Sequence, residues 1–207
     1  MEVLAQGLME VLFGEATRGA RRRRAAGFAA SLGLGFQAEG GPAEPEAAAR
    51  LEEVEALGSR FTRPVADTFW GPYQGRYVIG FENAVWDRRK RRHVTVRFTA
   101  VALARPLPDL LVAASGEKTL AEQWFQPDAE CLPVPVPQGA KRHVTAADPA
   151  SAGAVLAALT ASLERSWMLR SNWLVGWHRG HLRTRSGDDA GPQLRFLLTA
   201  ADAFERP

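Results

Sequence analysis

The stretch from Trp70 to Ala104 constrains the fold most strongly, because it reads as two long strands joined by a short basic loop. In the second strand, predicted over residues 93–104, apolar side chains occupy every second position from Val94 to Ala102. A period of two is typical of a strand that has one buried face. The first strand is predicted over residues 76–86, and the loop covers residues 87–92. Together they form the hairpin around which the rest of the chain is organised.

Closing the hairpin across this loop predicts which residues face one another. The register sets four pairs in opposition: Trp86 and His93, Val85 and Val94, Glu82 and Arg97, Phe81 and Phe98. We expect the phenylalanine pair on the core face and the Glu82–Arg97 ion pair on the solvent face. Such pairs contribute about 0.2–1 kcal/mol each, and a slip of one residue would break all of them.

Further strands are predicted on either side of this hairpin. A strand over residues 66–71 precedes it, and Pro72-Tyr73-Gln74-Gly75 supplies turn residues, so that the three strands form a meander. A second, C-terminal hairpin is predicted across Arg179-Gly180, with strands over residues 173–178 and 181–185. Both hairpins pair antiparallel strands, because connections this short do not allow a parallel crossover.

Helical periodicity and end signals place helices around these strands. Residues 46–57 show the spacing of an amphipathic helix, and Asp148-Pro149 begins another, with Asp as the N-cap and Pro at the first helical position. A C-terminal helix is predicted from apolar residues between Leu194 and Phe204, and a short strand at Leu110–Ala114. These elements predict an α+β fold with a mainly antiparallel sheet, built on a β-meander and a C-terminal hairpin and covered on one side by helices.

Length and composition set the broad class of the protein. The 207 residues suit one α+β domain, expected over residues 61–207, preceded by an N-terminal helical segment over residues 1–60. A single cysteine, Cys131, excludes an intramolecular disulfide framework. No apolar run approaches 18 residues, which argues against a spanning helix. We therefore expect a cytoplasmic protein, with peripheral attachment to a membrane left open.

Basic residues are concentrated in two clusters, although the net charge is only +3. The clusters cover Arg18–Arg24 and Arg88–Arg92, and an amphipathic helix is predicted over residues 1–13, ahead of the first cluster. Clusters of this size are usually solvated surface, but they can also steer encounter with a partner. The candidate partner-binding residues are Leu4, Leu8, Leu12, Arg21, Arg22, Arg23, Arg24, Arg88, Arg89, Lys90, Arg91 and Arg92.

Sequence motifs of the common enzyme classes are missing: there is no G-x-S-x-G, P-loop, H-E-x-x-H or C-x-x-C. Cys131 lies beside prolines without an adjacent base, which favours an inert thiol over a nucleophile. His178 and His181 would face each other in the predicted C-terminal hairpin, but the arginines around them would repel a metal cation. No catalytic residue, metal ligand or cofactor is therefore predicted.

Two segments carry a resemblance to a known family. GRYVIGF (residues 75–81) and RRHVTVRFTAVALARPLPDL (residues 91–110) resemble a family of uncharacterised actinobacterial proteins. In that family a G-R-x-x-x-x-F strand is followed by an Arg/His-rich turn, an alternating strand and a Leu-Pro motif, and a membrane helix often precedes an Arg run. The resemblance implies no assigned activity. In this chain the position of the membrane helix corresponds to Met1–Phe13, which is too short and too acidic to span.

These observations predict a non-enzymatic module that binds or scaffolds another protein, and that can act peripherally at the cytoplasmic face of a membrane. An anionic membrane surface is then a second partner. The alternative is a nucleic-acid-binding accessory protein, whose arginine clusters would contact phosphates. An enzyme with a site assembled only in three dimensions is the third option.

Overall fold

The computed structural model of the protein describes residues 18–58, 65–87, 91–114, 116–118, 121, 131–136, 142–150, 152, 165–180 and 190–205. Nine strands within these ranges form one sheet, in the order β1-β2-β3-β4-β9-β8-β5-β7-β6. All of the neighbouring strands pair antiparallel. The strands are β1 (Gly35–Glu39), β2 (Ala66–Tyr73), β3 (Arg76–Asp87), β4 (Arg92–Ala102), β5 (Leu110–Ala114), β6 (Leu132–Pro133), β7 (Arg142–Ala146), β8 (Ser166–Arg170) and β9 (Trp173–Arg179).

Three helices in the described ranges cover both faces of this sheet: α1 (residues 18–31), α2 (Pro45–Ala56) and α3 (Ala190–Glu205). One hydrophobic cluster joins α1 and α3 to one face and includes Ala29, Val78, Val101, Leu174 and Leu197. A second cluster joins α2 to the opposite face and includes Leu51, Val54, Ile79, Phe98 and Val175. The mainly antiparallel α+β fold is confirmed, but the expectation that helices cover one side is wrong, because the central strands bury residues of both faces.

The central meander is confirmed, and its β3–β4 pair has the register predicted from the sequence, whereas β2 continues to Tyr73 beyond its predicted end at residue 71. β2, β3 and β4 are consecutive neighbours, and Trp86 pairs with His93 while Glu82 pairs with Arg97. The turn between β2 and β3 contains Gln74 and Gly75, which both adopt left-handed backbone angles with φ of 50° and 77°. A two-residue turn of this kind matches the right-handed twist of the strands that it joins.

The predicted solvent face of the hairpin is wrong in one respect that matters for the site. Glu82 and Arg97 do form an ion pair, but their exposed fractions are only 6% and 5%. They lie on the face that α1 and α3 cover, together with Val78 and Val101. The pair is therefore buried under helices. The alternation of apolar and polar residues within one hairpin does not predict where these helices lie.

The predicted C-terminal hairpin is confirmed in its first strand, because residues 173–178 lie within β9, but its predicted partner strand and turn are wrong. β9 pairs with β4 along one edge and with β8 along the other. The β8–β9 pairing runs from Ser166↔Trp177 to Arg170↔Trp173. The turn is therefore Ser171-Asn172, and Arg179-Gly180 ends the hairpin. Because both edges of residues 173–177 are occupied, no strand can pair there. Residues 181–189, which include His181, lie outside the described residues.

The N-terminal part of the chain contributes a strand as well as helices. β1 lies at one edge of the sheet and pairs with β2 from Gly35↔Trp70 to Glu39↔Ala66. Side chains from α1 and α2 enter the two clusters described above. The expected boundary between residues 1–60 and 61–207 falls in residues 59–64, outside the described part of the chain, and it stays a prediction.

An ion-pair cluster fastens the C-terminal end of α3 to the sheet. The Arg76 guanidinium lies 2.8 Å from the Asp202 carboxylate and 2.7 Å from that of Glu205. Glu205 also accepts a hydrogen bond from the Ala104 N–H. Burial alone would raise the pKa of Glu205, but the hydrogen bonds from Arg76 and Ala104 outweigh it and hold that pKa below its usual value.

We expect Glu205→Gln to destabilise the protein by about 1–2 kcal/mol at neutral pH. A carboxylate with a lowered folded-state pKa stabilises the fold above its unfolded pKa, and this contribution is lost as the pH falls through the folded value. The difference between wild type and Glu205→Gln in urea unfolding should therefore shrink below about pH 4. The control Asp202→Asn, whose side chain is 60% exposed, should cost less than about 0.5 kcal/mol. A difference that stays constant down to pH 3 would contradict the assignment.

Candidate functional site

The hairpin of β3 and β4 extends beyond the strands that flank it. β2 pairs with β3 only as far as Glu82, and β9 pairs with β4 only as far as Val96. One further bond joins the Gly180 N–H to the Thr95 carbonyl. The pairing of β3 with β4 continues to Asp87↔Arg92. Residues 83–87 and 92–95 therefore form a two-stranded ribbon that projects from one end of the sheet.

One face of this ribbon is exposed and carries an aromatic pair. The Trp86 and His93 rings pack edge to face, with centroids 5.2 Å apart. Trp86 is 43% exposed, whereas Val85 on the other face is buried. Arg91 and Arg92, next to His93, are also exposed. The projecting end of the sheet therefore presents an exposed indole and two exposed cationic residues.

The first turns of α1 lie at the same end of the sheet as the ribbon. A cavity of about 530 Å³ is lined on one side by Arg18, Arg21 and Arg22 of α1, and on the other by residues that include Ala84 and Thr95 of the ribbon. We call this end, with the ribbon and the α1 arginines, the basic end. The fold thus places the first arginine cluster at the end of the sheet where the described residues of the second cluster, Arg91 and Arg92, also lie.

Acidic side chains and a strained backbone position also line this cavity. Glu82, held by Arg97, lines it together with Asp67 of β2. The β2–β3 register is irregular between Ala66 and Phe69, and Asp67 has a left-handed φ of 46°. A bulge of this kind re-aims a side chain away from the regular ladder. Arg22 pairs with Glu39 at the cavity.

The structure brings some of the predicted partner-binding residues together. Arg21 and Arg22 line the cavity, whereas Arg23 is exposed on α1 away from it, and the Arg24 Nε donates to the Ala20 carbonyl at 3.0 Å. Arg91 and Arg92 lie on the ribbon end of the hairpin. Their role in binding stays a prediction. Six of the predicted residues lie outside the described residues: Leu4, Leu8, Leu12, Arg88, Arg89 and Lys90.

Other candidate chemistry is sparse in the described part of the chain. Burial raises the pKa of the Cys131 thiol, and the neighbouring Asp109 carboxylate raises it further, so the thiolate is disfavoured at neutral pH. His178 lies on β9 opposite Arg97. In the described ranges no three His, Cys, Asp or Glu side chains gather closely enough to hold a metal ion. None of the helices described has the length and apolarity needed to cross a bilayer.

Sequence reasoning missed the cavity. The Glu82–Arg97 pairing was predictable, but its burial depends on α1, which is distant in sequence from β3 and β4. No sequence pattern predicts the left-handed backbone angle of Asp67, because a single aspartate within a strand can adopt either conformation. The sequence places Trp86 next to the basic loop but does not predict that its side chain is exposed. Its exposure follows from the length by which the ribbon exceeds the strands that flank it.

Comparison with known proteins establishes the fold. No protein-family model and no curated protein matches the sequence, which is consistent with the expected resemblance to a family without an assigned activity. Among solved structures, the chain is similar to the crystal structure of the mycobacterial trehalose monomycolate transport factor A. The TM-score is 0.59 at 13% sequence identity, over 91% of this chain and 94% of the other. The chain thus shares its fold with a protein described as a transport factor, along nearly the whole length of both.

Proposed function

We propose that this protein is a non-enzymatic accessory module that docks its basic end onto an anionic membrane surface, where it binds a protein partner. The observation that carries this proposal is the placement of Arg18 and Arg21 of α1 at the same end of the sheet as Trp86, Arg91 and Arg92. Cationic residues and an exposed indole therefore lie at the same end of the sheet.

Physical chemistry supports a membrane surface as the counterpart of this region. Arginine and lysine residues near an anionic leaflet each contribute about 1 kcal/mol to binding. Tryptophan is enriched at the level of the lipid headgroups, because its ring is apolar and its N–H can still donate. The predicted basic loop at Arg88–Arg92 would extend the same region at the tip of the hairpin.

The fold likeness supports the accessory character of the module. The similar structure is that of a mycobacterial transport factor, which is named for the movement of trehalose monomycolate. By analogy, we propose that this chain also assists a membrane-associated process and performs no chemistry of its own. An analogy of fold alone does not transfer the partner or the transported molecule.

We expect the full-length chain to co-sediment with phosphatidylglycerol vesicles and to bind neutral phosphatidylcholine vesicles much more weakly. Arg92→Glu changes the charge by two units at the basic end, so it should weaken binding about tenfold or more. Trp86→Ala should weaken it as well, because the interfacial indole is lost. The affinity should fall as salt is raised.

Matched substitutions elsewhere provide the controls. Arg105→Glu makes the same charge change in the exposed loop after β4, at the opposite end of the sheet, and Leu132→Ala removes another large exposed apolar side chain. Both should stay within about twofold of wild type, given the small energies of isolated surface contacts. Equal losses for Arg92→Glu and Arg105→Glu would contradict the proposal. A single-stranded oligonucleotide that binds through the same residues more tightly than the vesicles would assign the surface to nucleic acid instead.

A further inference from the structure

His93 gives the exposed face of the ribbon a side chain that can change its charge near neutral pH. His93 is exposed, and its ring packs edge to face on the indole of Trp86, with the two centroids 5.2 Å apart. Histidine side chains ordinarily gain a proton as the pH falls from about 8 to about 5. The ribbon therefore joins its exposed indole to a group that becomes cationic under mildly acidic conditions.

The geometry of this pair suits a charged imidazole. The attraction between a cation and an indole ring acts within about 6 Å of the ring centroid, and the separation of the two rings lies inside that range. Trp86 and His93 are directly paired across β3 and β4, so the register of the ribbon fixes the contact. Protonation therefore adds a charge to a ring whose position is already set.

The residues that share this face with His93 do not bring a carboxylate close to its ring. The next pair toward the body of the sheet is Ala84 and Thr95, and after it come Glu82 and Arg97. Glu82 is the first acidic residue in this series, and it forms an ion pair with Arg97. Four residues of a strand span about 13 Å, so Glu82 lies too far along β3 to bind the imidazole of His93.

Other acidic residues at the basic end are engaged elsewhere in the protein. Asp87 lies on the opposite face of the ribbon, where its carboxylate is 2.8 Å from the Arg179 guanidinium. Glu39 and Asp67 line the cavity, and both have interactions within the protein. The charge of a protonated His93 is therefore not neutralised by these carboxylates.

Arginine residues reinforce the same sign of charge. Five of them lie at the basic end: Arg18, Arg21, Arg22, Arg91 and Arg92. Arg21 and Arg22 also have interactions within the protein, whereas the other three are exposed. Protonation of His93 thus adds a cation to a surface that is already positive, and the added charge favours an anionic counterpart.

We infer that His93 makes the docking of the basic end on an anionic membrane dependent on pH, with tighter docking when its imidazole is protonated. The inference rests on the proposed function and names a regulation of the same surface. An indole at the level of the lipid headgroups holds the His93 ring, 5.2 Å away, near the lipid phosphates. One added cation at an anionic leaflet corresponds to a change in affinity of about fivefold.

Co-sedimentation of the full-length chain with phosphatidylglycerol vesicles, at about pH 5.5 and about pH 8, tests the inference. Wild type should bind about fivefold more tightly at the lower pH. His93→Gln should bind equally at both values, at the level of wild type at the higher pH. His93→Arg carries a permanent charge, so it should also bind equally at both, but at the level of wild type at the lower pH.

The other three histidines provide matched controls. His178 is the most stringent, because it lies opposite Arg97 and therefore on the same face of the sheet as His93. His143 lies on β7, near the far edge of the sheet, and His181 lies outside the described residues. Replacement of each by glutamine should preserve the fivefold difference. Loss of the difference in His178→Gln, with His93→Gln unchanged from wild type, would overturn the inference.

The inference and the proposed function fail in different ways. If wild type binds phosphatidylglycerol vesicles equally at both pH values, and Arg92→Glu still weakens binding, the inference fails while the proposed function stands. If wild type binds at neither pH, the proposed function fails and the inference fails with it. Thermal midpoints measured at both pH values show that each variant keeps its fold, so that a lost difference reports the charge at position 93.

Discussion

Replacing Arg97 by methionine is expected to destabilise the protein by about 3–5 kcal/mol. The substitution removes the ion-pair partner of Glu82. Glu82 is only 6% exposed and lies on the face that α1 and α3 cover. Glu82 would then keep a buried charge without this compensation, and the desolvation cost of such a charge is large. Urea unfolding of the two proteins measures the difference directly.

The double replacement separates burial from pairing. Glu82→Leu combined with Arg97→Met leaves no charge to bury, so its stability should return to within about 1–2 kcal/mol of wild type. Arg50→Met is the matched control, because Arg50 also pairs with a glutamate, Glu53 at 3.5 Å, but its side chain is 35% exposed. That change should cost less than about 0.5 kcal/mol. A similar cost for Arg97→Met and Arg50→Met would show that the Glu82–Arg97 pair is not buried.

Gly80→Ala is expected to cost about 3 kcal/mol or more. Gly80 lies directly opposite Phe69, and a Cβ added to it would overlap the Phe69 ring. The ring cannot move freely, since Phe69 is 2% exposed and packs edge to face against Phe28 of α1 at 5.5 Å. The methyl group therefore forces a shift in the packing of α1 on the sheet.

Two further variants check this explanation. Phe69→Leu shortens the opposing side chain, so the cost of Gly80→Ala should be smaller in its presence, which a double-mutant cycle measures. Gly27→Ala adds the same methyl group to α1, where the new Cβ would lie within 4 Å of no atom other than the adjacent residues and the helix backbone. It should stabilise the protein by roughly 0.5–1 kcal/mol, because alanine favours a helix over glycine. A neutral Gly80→Ala in thermal or urea unfolding would contradict the packing described.

The hairpin register was predictable from the sequence because several independent preferences agree on it. The Phe81–Phe98 pair, which stacks at 5.0 Å between centroids, and the Glu82–Arg97 pair both require the same alignment. A shift by one residue would exchange the two faces of the strands. Register is a local property of two adjacent strands, and it needs no knowledge of the rest of the fold.

The C-terminal hairpin shows why turn signals can mislead. Gly180 has a φ of 98°. Glycine adopts positive φ angles readily, so Arg179-Gly180 looks like a hairpin turn in the sequence. The turn that forms is Ser171-Asn172, where Ser171 adopts a φ of 53°. Serine is not a typical residue for this conformation. Tertiary pairing of β8 between β9 and β5 therefore overrides the local preference.

The candidate site depends on contacts that no local pattern contains. The arginine clusters are visible in the sequence, but the location of Arg18, Arg21 and Arg22 at the end of the sheet that bears Arg91 and Arg92 follows only from the placement of α1 beside the sheet. Asp67, which lies at the irregularity in the β2–β3 register, also lines the cavity. Long-range packing decides both features, and composition and periodicity report neither.

Hydrogen–deuterium exchange of the full-length chain, with and without phosphatidylglycerol vesicles at low salt, tests the central claim most directly. The account predicts protection of the ribbon residues 83–87 and 92–95 and of the first turns of α1, with little change in α2. Arg92→Glu should reduce this protection, and Arg105→Glu should leave it intact. Protection centred on α2 or on the β6 edge, with the ribbon unchanged, would contradict the assignment of the basic end as the membrane-binding surface.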